Sequence, residues 1–183
     1  MILPVYLIGH PVLRKQTTEI TMEHPGLAEL IENMYETMYH DKGVGLAAPQ
    51  IGQSIRLFVI DTEPFLESDP ETEHLKSAFI NPVIEDEFGE DFIFNEGCLS
   101  IPDVHADVTR KSELTITYTD ESGKRQTRDF KGLTARVIQH EYDHLEGNIF
   151  TDKIPPIKKM VLKRKLNDIA TGKHRPFYKS IIK

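Results

Sequence analysis

The stretch "LTARVIQHEYDHLEG", residues 133 to 147, constrains the fold of this chain more than any other. It contains the pattern H-E-x-x-H, and on a helix His140 and His144 stand one above the other on a single face. Leu133 and Val137 share that face, so the two histidines continue an apolar stripe that points into a core instead of toward water. Average residue usage produces such a pattern by chance in under roughly one chain in a hundred of this length. Two stacked imidazoles suit a divalent metal, with Glu141 beside them as a base. Hydrolysis then requires a third ligand and a surface for a substrate elsewhere in the chain.

Upstream of this helix the patterns change. "PGLAELIENMYETMYHDKG" reads as an amphipathic helix, with Leu27, Leu30, Ile31, Met34 and Met38 at helical spacing and Gly43 as its stop. "GVGLAAPQIG", residues 43 to 52, is too rich in glycine and alanine for an ordinary strand, whereas "SIRLFVID" after it is a strand. Residues 62 to 76 are acidic and broken by proline, which predicts an exposed loop. "SAFINPVIEDE" and "DFIFNEG" look extended, and in "ELTITYTDESGKRQTRDF" the alternation of Leu114, Ile116 and Tyr118 predicts a hairpin turning at Glu121 to Lys124. Gly147 is placed to cap the motif helix. A last helix is predicted in "PPIKKMVLKRKLNDIATG", although its apolar residues follow no clean stripe. Together these elements predict one α+β domain over residues 1–183, antiparallel or mixed sheets around a central motif helix, with an N-terminal and a C-terminal helix.

Charge is unevenly spread. The net charge of −7 divides into −16 over the first 152 residues and +9 from Lys153 onward, where Asp168 is the one acid. A basic C-terminal helix and tail, residues 155–183, suggests an anionic partner, and a solvated lysine-rich helix is the plain alternative. No run approaches the roughly eighteen apolar residues of a membrane span. The start, "MILPVYLIGHPVLR", lacks the basic region and cleavage site of a signal peptide. With one cysteine, Cys98, no internal disulfide can form, and a cytoplasmic location is expected.

The third ligand separates the classes. A metzincin would have a histidine where this chain has Phe150, and phenylalanine cannot ligate. A thermolysin-like site would draw on a later carboxylate, for which only Asp168 is available, inside the lysine-rich segment. Cys98, in "EGCLS", offers a thiolate, and one cysteine with two histidines leaves a fourth position open, as catalytic sites require. The alternative is an inert buried thiol. Gly97 before it marks a constrained backbone and favours the ligand.

"GVGLAAPQIG", "EGCLSIP" and "QHEYDHLEG", in this order and spacing, resemble the three signature motifs of peptide deformylases, and "GHPVLR" and the "INP" at residues 80 to 82 fit as well. The resemblance implies a metal held by Cys98, His140 and His144, ferrous iron in the cell with zinc, nickel or cobalt able to substitute. It implies that Glu141 moves the proton, that Gln50 and the Leu99 N–H stabilise the oxyanion, and that substrate backbone pairs near Val44, Gly45 and Gly97. The implied substrate is the N-formyl-methionyl end of nascent polypeptides, with formate as product. Ribosome contact would run through the basic C-terminal segment, and no membrane or DNA partner is expected.

Glu96 and Arg110 are placed to brace the site from behind, with a simple surface ion pair as the equal alternative. The family often has an acidic residue where His10 stands and an arginine where His105 stands, which bears on contacts beyond methionine. An endopeptidase with the same metal, and a structural zinc module closed by a fourth ligand such as His105, are the other readings. Removing residues 156 to 183 is expected to leave activity on short peptides intact.

Overall fold

The computed structural model describes residues 1–182; Lys183, the last residue of the basic tail, lies outside it. Strand β1 (Val5–Tyr6) is followed by helix α1 (Leu27–His40), short strands β2 (Gly45–Ala47) and β3 (Leu57–Asp61), and two long strands, β4 (Lys76–Cys98) and β5 (Ile101–Thr119). Strand β6 (Arg125–Lys131) leads directly into the motif helix α2 (Gly132–Leu145); α3 (Pro156–Ala170) and β7 (Ser180–Ile181) complete the chain. Among the described residues, β2-β3-β4-β5-β6 form an antiparallel five-stranded sheet, and β1 and β7 pair in parallel.

Strand β3, "LFVID", shows why the sheet can hold a helix on each face. All five residues are buried, and successive side chains point to opposite sides. Leu57 and Val59 join Met34, Met38 and Leu46 in the core under α1, while Phe58 and Ile60 join Phe79, Ile116, Val137 and Ile138 in the core under α2. A third core gathers Val5, Leu7, Ile101, Val108, Phe150, Ile169 and Tyr178, bringing both ends of the chain against the tip of the β4–β5 hairpin.

Several expectations are refined. The two extended segments before Cys98 are one strand of 23 residues, bent by four register shifts. Residues 101 to 110, with no assignment from the sequence, alternate buried and exposed from Pro102 onward and form the first half of β5. The acidic loop is not wholly exposed: Thr62 is fully buried, and Phe65 and Leu75 pack against the core under α2. Helix α1 ends three residues before Gly43, because Lys42 takes the left-handed conformation (φ 60°) and the Gly43 N–H closes onto Met38 O at 2.8 Å.

The C-terminal helix explains its own lack of a stripe. It touches the body through Leu162, Leu166 and Ile169 toward its end, and leaves Ile157, Met160 and Val161 in solvent.

Candidate active site

Helix α2 carries its histidines as the stripe predicts. The His140 and His144 rings lie 5.3 Å apart between centroids, and Phe150, the residue that denies a metzincin its third histidine, stacks on His140 at 6.1 Å. Gly147 ends the helix in the left-handed conformation (φ 75°), where a side chain would meet the Arg14 carbonyl at 2.8 Å, so the turn fits only glycine.

Cys98 reaches the same place from the sheet. It ends β4 opposite Ile101, with Leu99 and Ser100 forming the hairpin turn. The Gly97 backbone is constrained by a neighbour: a Cβ there would stand 2.6 Å from His105 Nε2. Cys98 Sγ lies 3.3 Å from His144 Nε2, and the ligand atoms of Cys98, His140 and His144 all fall within 4.8 Å of one another. Ligands of a tetrahedral zinc at ordinary bond lengths are about 3.5 Å apart, so the spacing fits a shared ion. Among the described residues neither His105 nor Asp168 joins this group, which leaves three candidate ligands and no fourth.

The histidine orientation is set behind the site. His140 Nδ1 is 2.9 Å from Glu96 Oε2, which turns Nε2 toward the cysteine side. Glu96 is buried and doubly held, by Arg110 Nε and Nη2 at 2.7 and 3.0 Å and by Arg136 Nη1 at 2.9 Å. Arg110 also reaches Asp143 at 2.7 Å. Burial works against the Glu96 charge, but the bonds from His140 and Arg110 outweigh it and hold its pKa well below the carboxylate range. The imidazoles are driven apart: burial and the neighbouring His140 push His144 well below histidine's ordinary value, while His140 is raised because bonds to Cys98 and Glu96 outweigh its own burial.

Glu141 sits among these groups without a counter-ion. Its Oε2 is buried and makes no hydrogen bond among the described residues, and burial pushes its pKa up to about 7. Gln50 is pre-set from the other side, accepting a bond from the Ala47 N–H at 2.8 Å and pointing Nε2 at Cys98 Sγ (3.4 Å) and Ser100 Oγ (3.3 Å).

A cleft of about 630 Å³ opens over these groups, lined by Val44, Gly45, Gln50, Gly97, Leu99 and Glu141 among others. All the residues that the motifs single out therefore meet in one place. Phe65, Phe94, Arg175 and Tyr178 line it too. Nothing in the sequence marks these four, which arrive from the acidic loop, from β4 and from the chain end.

The chain matches the family model of polypeptide deformylase over residues 2–160. It is similar to the peptide deformylases of Flavobacterium psychrophilum (52% identity, 98% of this chain and 96% of the relative) and Flavobacterium johnsoniae (55%, 94% and 92%). Among solved structures it is similar to a peptide deformylase from Legionella pneumophila (TM-score 0.81, 36% identity, 96% of this chain and 100% of that one). It is likewise similar to Arabidopsis thaliana peptide deformylase 1B in complex with an inhibitor (TM-score 0.82, 30% identity, 93% and 92%). With the Cys-His-His group, the buried glutamate and matches over nearly its whole length, this chain belongs to the peptide deformylase family.

Proposed function

We propose that this chain acts as a single catalytic domain that hydrolyses the N-formyl group of formyl-methionine at the start of nascent polypeptides and releases formate. The observation that carries the reading is the meeting of Cys98, His140 and His144 with the buried Glu141 in one open cleft. A divalent metal held by that trio supplies a Lewis acid that polarises the formyl carbonyl and makes water nucleophilic near neutral pH. One thiolate and two imidazoles suit ferrous iron, which we assign in the cell, and also zinc, nickel or cobalt.

The protein groups divide the remaining work. Glu141, raised to about 7, accepts a proton as water adds to the formyl carbon and gives it to the nitrogen as the C–N bond breaks. Gln50 Nε2 and the Leu99 N–H donate to the oxygen that gains charge; losing one such donor costs about 2.7–4 kcal/mol. Strand β2 lies at the edge of its sheet, so an extended peptide can add alongside Val44 and Gly45 with Gly97 across from them. The methionine side chain takes the apolar part of the cleft near Leu99 and Val137.

No helix among the described residues is long and apolar enough to cross a membrane. We assign the enzyme to the cytoplasm, where nascent chains emerge, and a ribosome contact to α3. Lys158 and Lys159 lie 3.3 and 3.4 Å from Asp107 and Asp152, which leaves Lys163 and Arg164 as the exposed charges for that contact. Truncation is a poor probe of it, because the tail beyond α3 lines the cleft and pairs with β1. Reversing Lys163 and Arg164 and measuring ribosome cosedimentation against salt tests the contact; binding that ignores the reversal removes it. Formate release from formyl-Met peptides by the metal-loaded protein, with no cleavage inside an unblocked protein, tests the activity. Internal cleavage without formate would favour an endopeptidase.

A further inference from the structure

Part of the cleft wall comes from chain outside the family match, which ends at residue 160. After α3 the backbone turns at Gly172 (φ 75°), and residues 175 to 178 then line the cleft. Both sides of this segment are tied down. The Lys173 and His174 N–H groups bond to Asp168 O at 2.8 and 3.0 Å, and the His174 ring pairs with Asp103 at 2.8 Å. Beyond it, the Tyr178 hydroxyl donates to Leu99 O at 2.5 Å. The Val5 and Leu7 N–H groups each bond to the returning strand at 2.9 Å, on Lys179 O and Ile181 O. Residues 175 to 177 are therefore held over the cleft between fixed points, and the same tail touches the turn that follows the cysteine.

That wall carries positive charge. Arg175 and Lys42 both line the cleft and are exposed, and neither side chain has an ion-pair partner among the described residues. The acid at the same mouth, Asp103, is already engaged by His174. A chain of net charge −7 thus presents a locally positive entrance to its own cleft. Charge placed at a cleft mouth and left unpaired acts on whatever enters.

Resting on the deformylase reading above, we propose that Arg175 is a specificity-determining residue, recognising an acidic side chain on the substrate beyond its formyl-methionine. An extended peptide advances about 3.3 Å per residue with side chains alternating in direction. The preference therefore belongs to particular positions after methionine instead of to net peptide charge.

The test measures kcat/KM by formate release on C-terminally amidated formyl-Met tetrapeptides carrying Glu, Gln or Lys at the second, third or fourth position. The metal-loaded wild type is compared with Arg175→Ala and Arg175→Glu. Formate from the Gln peptides tests the deformylase reading by itself. At one or more positions the wild type should favour Glu over Lys roughly two- to fivefold, the range for one exposed charge pair, and salt should narrow the ratio. Alanine should bring that ratio toward one and glutamate should invert it. Because the ratio is taken within one preparation, losses of metal or of folded protein cancel. A wild-type ratio of one at every position, or a ratio that neither variant alters, overturns the assignment.

Discussion

Gly45 lies against the side chain of Glu141 so closely that a Cβ on it would stand 2.8 Å from the Glu141 Cγ and Cδ. The sequence suggests that this glycine lets a substrate backbone approach. The structure adds a second reason, because the bare Cα makes room for the Glu141 carboxylate. Gly45 has no positive φ, so alanine there changes the contact and not the backbone preference. Gly45→Ala is expected to lower kcat roughly tenfold to a hundredfold by displacing Glu141, with metal content retained. Glu141→Ala should retain metal as well and lose on the order of 10²–10⁴ in kcat. Steady-state kinetics with metal analysis checks both, and an unimpaired Gly45→Ala enzyme would mean that the carboxylate position is not limiting.

Glu96 serves the site and the fold together. Replacing it with glutamine removes the one carboxylate on the buried Arg136 and one of the two on Arg110, which keeps Asp143, and leaves a single acceptor oxygen where the arginines and His140 share two. The expected cost is about 3–5 kcal/mol of stability, the usual penalty for stranding a buried charge. Metal affinity should fall roughly tenfold to a hundredfold. Denaturant unfolding and chelator competition measure the two separately; a variant as stable as the parent would show that the arginines find other partners.

Cys98 offers a direct count, since the chain has no other cysteine. If Cys98 is a ligand, its sulfur should resist thiol reagents in the metal-loaded protein, and a chelator should expose one reactive thiol per chain in folded protein. Cys98→Ala should lose metal and turnover together, because two histidines alone rarely hold a catalytic metal. Protection that persists after chelation, with metal retained by the alanine variant, would remove Cys98 from the ligand set. An iron-loaded enzyme should also decay faster in air than a zinc-loaded one.

Acid should weaken one link between the N-terminal segment and the end of α2. Burial works against the Asp152 charge, but bonds from Arg14 and the Ile149 N–H hold its pKa below the ordinary 3.8. Arg14 also donates to Gly147 O at 3.3 Å. A depressed folded pKa gives stability that is full above the unfolded value and lost as pH falls through the folded one. Asp152→Asn should therefore lower Tm at pH 7, with the difference closing below the ordinary pKa. A constant Tm difference across that range would show that the charge carries none of the effect.

The sequence by itself determined the local chemistry of this protein. The spacing of His140 and His144 put both rings on one helical face whatever surrounds them, because 3.6 residues per turn leave no other choice. The apolar run of β3 and the alternation around Tyr118 likewise marked strands, the first as a strand buried on both faces and the second because a pleat repeats every two residues. Cys98 was legible as the candidate third ligand by elimination among residue types and by the likeness of its motif. The lack of a stripe in α3 was legible too, and it corresponds to a helix that packs by its far end.

What joined these parts was decided by the tertiary structure. Cys98 and His144 stand 46 positions apart, and only the β4–β5 hairpin and the packing of α2 on the sheet bring sulfur within 3.3 Å of nitrogen. The same distance effect hid Phe65, Arg175 and Tyr178, each of which reaches the cleft by a long-range return that no nearby residue announces. Residues 101 to 110 had no assignment from the sequence, yet pairing with β4 makes them strand. Local periodicity reports which face of an element is apolar; which other element covers that face is a property of the packed whole.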